Sequence, residues 1–164
     1  MANTWETYLS MHVKNKQNPD GTYLQNTTEH CFIADLQGNI LASTPGFQLG
    51  KYLYDMKIDA TNTKKVEVDE KKILIELVNT GKPNEEVGVR LNNVKYMVSM
   101  YDKDKNLFYL SKQKGGACIM KTAQTIIFAS YMSEMKLSNN TFQSPGMCNE
   151  RVEFLAQLLI AAKY

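Results

Sequence analysis

The sequence predicts an α+β fold: a central antiparallel meander sheet with the N- and C-terminal helices packed together on one face. Three observations predict it. Amphipathic segments stand at both ends of the chain. Between them lie short runs of alternating or apolar residues. Tight turns of Gly, Asn, Asp and Pro join those runs into hairpins. The 164 residues and 18.7 kDa suit one domain, expected to span 1–164.

The first helix starts at Thr4, a suitable N-cap, and carries Trp5, Tyr8, Leu9 and His12 on one stripe. Pro19-Asp20-Gly21 marks a turn in the polar stretch from Asn15 to Asn26. His30 to Ala34 and Ile40 to Ser43 read as a hairpin about Leu36-Gln37-Gly38-Asn39. Thr44-Pro45-Gly46 is a turn, and Leu49 to Met56 reads as a short helix. Lys64 to Val78 reads as a second hairpin: Val66 and Val68 alternate, Asp69-Glu70-Lys71-Lys72 turns, and Ile73, Ile75 and Leu77 alternate again. Strands are then expected at Val87–Leu91, Val94–Tyr101, Leu107–Ser111, Ala117–Lys121 and Thr125–Ser130. Ser138 to Gly146 reads as a polar loop, and Glu150 to Lys163 as the last helix with Asn149 as N-cap.

Composition narrows the function. Hydrophobic residues are 43%, charged residues 22% and the net charge +2, which argues against a dedicated nucleic-acid binder. No apolar run approaches the ~20 residues of a membrane span. The start, Met1-Ala2-Asn3-Thr4-Trp5-Glu6, has neither the basic residues nor the apolar run of a secretory leader, so a cytoplasmic protein is expected. Cys31, Cys118 and Cys148 are widely spaced and read as buried thiols of a reducing compartment. With His12 and His30 they lack ligand spacing, so no metal is expected. His30 and Cys31 are neighbours in a strand, point to opposite faces and cannot form a dyad. Catalytic motifs are absent, and Lys114-Gly115-Gly116 is a turn rather than a phosphate cradle. The chain reads as a binding protein without cofactor, not an enzyme.

The terminal helices carry the binding signal. On a helical wheel, Val152, Leu155, Ala156, Leu159, Ile160 and Ala162 form one apolar face, and Phe154, Leu158 and Ala161 extend it. A helix covering one sheet face does not need that width. Side by side, the two helices would present Trp5, Tyr8, Leu158, Leu159 and Tyr164 as a groove. Such grooves take proline-rich segments, whose left-handed helix is ordered before binding; read from composition alone, Trp5 and Tyr8 also fit the ordinary packing of an amphipathic helix.

The sequence also resembles the profilin family. The resemblance rests on Trp5-Glu6-Thr7-Tyr8, Gly38-Asn39-Ile40-Leu41-Ala42-Ser43, Gly88 to Val98, Gly115 to Thr125, and Pro145-Gly146-Met147-Cys148-Asn149 with the helix after it, in that order. It implies a monomer that binds monomeric actin, proline-rich proteins such as formins, and phosphoinositides, in the cytoplasm and cytoskeleton. By position it implies proline contacts at Trp5, Tyr8, Leu41, Leu158, Leu159 and Tyr164. Leu41 stands where the family often has Trp, and Leu158 where it has Tyr or His. For actin it implies Lys95, Lys112 and Lys121, while Met100, Leu110 and Glu150 replace basic residues of some members. It further implies inserted residues within 59–84 and within 132–144, as in members from single-celled eukaryotes. Two alternatives stand beside this reading. One is a small-molecule sensor of similar architecture, which needs an internal cavity. The other is a phosphoinositide-binding module using Lys112, Lys114 and Lys121.

Overall fold

The computed structural model describes residues 4–164. Met1, Ala2 and Asn3, part of the start read above as lacking a leader, lie outside the described residues. Helix α1 (Thr4–Leu9) widens into a π-type turn (Ser10–Lys14), and a small ribbon of β1 (Lys16–Gln17) and β2 (Tyr23–Leu24) follows. Then come β3 (Cys31–Asp35), β4 (Ile40–Ser43), β5 (Lys51–Lys57), β6 (Thr63–Asp69), α2 (Glu70–Thr80), β7 (Val89–Leu91), β8 (Val94–Asp102), β9 (Leu107–Lys112), β10 (Gly115–Lys121), β11 (Thr125–Met132) and α3 (Pro145–Ala161). Seven strands form one antiparallel sheet in the order β4-β3-β11-β10-β9-β8-β7. Strands β5 and β6 pair separately.

Alternation along the central strands explains both cores. Cys31, Ile33, Cys118, Met120, Ile127 and Ala129 point under the terminal helices. Phe32, Ala34, Ala117, Ile119, Ile126 and Phe128 point to the other face, with Phe47 and the α2 residues Leu74, Leu77 and Val78. Both faces are therefore covered. That is why β3, β10 and β11 read as continuous apolar runs. Phe32 and Phe128 stack at 5.0 Å within this layer.

Three expectations are corrected. Leu49–Met56 is not a helix; Lys51–Lys57 is a strand that turns Tyr52, Tyr54 and Met56 onto Val66 and Val68. The second half of the Lys64–Val78 hairpin is α2. The Asp69 carboxylate accepts from the Lys72 amide (3.2 Å), and left-handed Gly81 closes the helix onto the Leu77 carbonyl (2.8 Å). Ile73, Leu74, Leu77 and Val78 are the buried stripe, a 3.6-residue period that the alternation of Ile73, Ile75 and Leu77 concealed. Finally, α3 begins earlier than Asn149. Ser144 caps it by accepting from the Met147 amide (3.1 Å), and Pro145 opens the first turn.

Glycines 115 and 116 allow close strand packing. A Cβ on either would lie 2.4 Å from a neighbouring carbonyl oxygen, of Tyr131 and Leu110 respectively.

Candidate functional site

Leu9 and Val13 of the first helix, and Val152, Leu155, Ala156 and Leu159 of α3, are buried against the sheet. Fixing these residues turns the next stripe of each helix toward the other. Trp5, Tyr8 and His12 face Leu158 and Phe154. Lys163 adopts a left-handed backbone (φ 66°) that reverses the chain, and the Tyr164 amide bonds back to the Leu159 carbonyl (2.8 Å). The Tyr164 ring thereby meets Trp5 edge-on at 5.7 Å, and Trp5 meets Tyr8 edge-on at 6.4 Å.

The result is a groove of about 520 Å³ lined by Thr4, Trp5, Tyr8, Leu155, Leu158, Leu159, Ala162 and Tyr164. Tyr8, Leu158 and Tyr164 expose 37%, 42% and 40% of their surface, far more than the core beneath them. Leu159 is buried and forms the wall. Of the residues expected here, the structure brings together Trp5, Tyr8, Leu158, Leu159 and Tyr164. Leu41 is half-buried on β4, packs against the apolar layer beneath the helices and is not among the lining residues. Ile160 and Ala162, expected on the packing face, are exposed.

The expected lysines do not form one patch. Lys95 is exposed on β8. Lys112 is half-buried on the opposite sheet face, paired with Glu29 (3.5 Å) and lying 5.5 Å from the centre of the Tyr96 ring. Lys121 ends β10, roughly 20 Å from the Lys112 end of that strand, and lines a different cleft with Lys105 and Lys163. Lys114 pairs with Glu134 at 3.1 Å. The trio Lys112, Lys114 and Lys121 is thus not one surface. Leu110 is buried and unavailable to a partner. Glu150 accepts from Lys16 (3.0 Å) and Arg151 (3.1 Å).

A second exposed area was not legible in the sequence. Helix α3 packs on β10 and β11; on the same face β9 keeps Leu107 buried and Tyr109 half-buried, while β8 beyond it is left open. A bulge between Val98 and Met100 breaks the alternation of β8. Val98 and Tyr101 stay inward while Met97 and Met100 stand 62% and 53% exposed beside Lys95.

The thiols are sealed. Cys31 and Cys118 both lie opposite Ala129 on the neighbouring strands, and Cys148 donates to the Ala129 carbonyl (3.3 Å). Burial pushes the Cys31 thiol up to about 12 and raises the other two, so all three stay protonated and unreactive. Among the described residues no group of three or more His, Cys, Asp or Glu is arranged to hold a metal ion. Among them, too, no helix is long and apolar enough to cross a membrane.

Comparison with known proteins gives a consistent result. A family model described as Profilin matches residues 3–164. A profilin of Tetrahymena pyriformis is 32% identical over 161 residues, covering 98% of each chain. Among solved structures, Acanthamoeba castellanii profilin II superposes with a TM-score of 0.67 at 20% identity, covering 98% of this chain and 100% of that one. Schizosaccharomyces pombe profilin superposes at 0.62 and 18%, with the same coverage. These structures share the fold.

Proposed function

The chain belongs to the profilin family, a family of actin-binding regulators, and on that premise we propose that it binds monomeric actin and proline-rich segments at two separate surfaces. It works as a cytoplasmic regulator of actin polymerisation, a binding protein rather than an enzyme. The observation that carries the proline half is the groove, where rings from both ends of the chain meet nearly at right angles, Tyr8 and Tyr164 exposed and Trp5 half-buried between them. An extended proline helix is rigid before it binds, so flat rings can hold it at little entropic cost. Leu158 supplies apolar surface there but no hydrogen bond.

The actin half is assigned to the open face of β8, with Lys95, Met97 and Met100. Lys112 is half-buried and paired with Glu29, so it offers a partner less free charge than Lys95. Simultaneous occupancy of both surfaces would raise the effective concentration of actin beside a proline-rich partner.

Trp5 is the single tryptophan, so its fluorescence reports the groove directly. Poly-proline should change it saturably, and Tyr8→Ala should weaken the response by at least about tenfold. A flat signal would remove the groove from this account. For actin, adding the protein should slow spontaneous assembly of pyrene-labelled actin in proportion to dose. Unchanged assembly would remove the actin half.

A further inference from the structure

Trp5, Tyr8 and Tyr164 are not the end of the run of rings. His12 lies 6.3 Å from Tyr8 with the planes tilted by 32°, and Phe154 lies 5.3 Å from His12. Phe154 exposes 42% of its surface and stands one turn before Leu158 on the same helix stripe. These two rings are held in place. The buried Arg151 guanidinium sits 4.9 Å from the centre of the Phe154 ring and donates to the His12 carbonyl (3.2 Å). It also donates to Glu150, which Lys16 in turn binds. The widened turn at Ser10–Lys14 shifts His12 away from the position a regular helix would give it.

We propose that His12 and Phe154 extend the proline-binding groove by one further subsite, so that this chain selects longer proline-rich segments than the Trp5–Tyr164 pocket alone would hold. This rests on the proline reading above. Phe154 and Leu158 are four positions apart on the helix, a rise of about 6 Å. At about 3.1 Å per residue, that is room for about two more prolines. The occupant is an uncharged, extended stretch continuing from the groove, because the new subsite offers two ring faces. Of the nearby ions, Glu150 accepts from both Lys16 and Arg151, whose Nε is buried without a partner.

The test compares a six-proline with a twelve-proline peptide by Trp5 fluorescence, using the full chain and the variants Phe154→Ala, His12→Ala and Phe154→Tyr. Phe154→Ala should weaken the long peptide about three- to tenfold and leave the short one unchanged. Phe154→Tyr should keep the wild-type values. The long peptide's extra registers benefit wild type and variant equally, so the ratio between peptides isolates the subsite. Phe154 is exposed, and an unchanged thermal midpoint would verify the fold. Equal loss for both peptides, or no loss for either, overturns the extension while the groove stands. Binding of neither peptide by wild type overturns both readings.

Discussion

The two faces of the seven-stranded sheet differ in how they are finished. Under α1 and α3 the covering stops short: rings stay exposed between the helices, and two methionines stay exposed beyond them. The other face is closed by α2 and Phe47, and beside it the fully buried Glu70 carboxylate accepts from the amides of Gly50, Asn92 and Asn93 (2.8 Å each) and from the Tyr52 hydroxyl (2.7 Å). The Tyr52 oxygen in turn accepts from Arg90 Nε (3.0 Å), whose guanidinium lies 4.4 Å from the centre of the Tyr54 ring. One side offers apolar surface that the chain does not use itself. The other ties the β5–β6 hairpin, the start of α2 and the β7–β8 turn together through the four donors to Glu70, beside a cleft of about 430 Å³ lined by Gln48, Tyr52, Tyr54 and Asn92. Substitutions should therefore cost stability on the closed side and binding on the open side.

Glu70→Ala should break this contrast most severely. It leaves three part-buried amides and a hydroxyl without their acceptor, and a loss of about 3–5 kcal/mol is expected by urea unfolding. Proline binding by the fraction that remains folded should be unchanged. A loss under about 1 kcal/mol would mean that water replaces the carboxylate and that the closed side is not sealed.

The same contrast explains what was legible in the sequence. The groove could be read because its signal is local: Trp5 and Tyr8 one turn apart, and an apolar arc on α3 wider than packing requires. The apolar runs of β10 and β11 were readable for the same reason. Residues 73–78 were not, because Ile73-Leu74-Ile75-Glu76-Leu77-Val78 fits both periods and only the caps at Asp69 and Gly81 decide between them. The role of Glu70 was invisible, since its donors lie 18 to 23 residues away in the chain. The bulge that aligns Met97 with Met100 depends on pairing with β9, which no spacing within β8 reveals.

The lysines sharpen the contrast at intermediate size. Lys112→Glu places a second carboxylate beside Glu29, which also accepts from Ser130 Oγ (2.9 Å). It should lower stability by about 1–3 kcal/mol. Lys95→Glu reverses an exposed charge and should change stability by less than about 0.5 kcal/mol while weakening the effect on pyrene-actin assembly. The reverse pattern, with Lys112→Glu stable and impaired toward actin, would move the interface to the other face.

The smallest expected effect is a pH dependence that draws on both sides of the molecule. Burial, and then the Arg151 cation, hold the His12 pKa below its ordinary value. Burial does the same for His30, with Lys14 and Lys112 adding to it and Glu29 opposing it. A histidine whose folded pKa is depressed binds its proton more readily in the unfolded chain. The stability it contributes is therefore complete above the unfolded value of about 6.5 and is lost as pH falls through the folded value. The thermal midpoint should decline as pH falls below about 6.5, before the carboxylates titrate near pH 4. His12→Gln and His30→Gln should each flatten that decline, and the double variant should flatten it most. Because His12 faces the groove and His30 bonds Thr44 (3.0 Å) beside Phe47, only the first should also change how proline binding varies with pH. Equal effects of both variants on binding would show that the two faces are coupled.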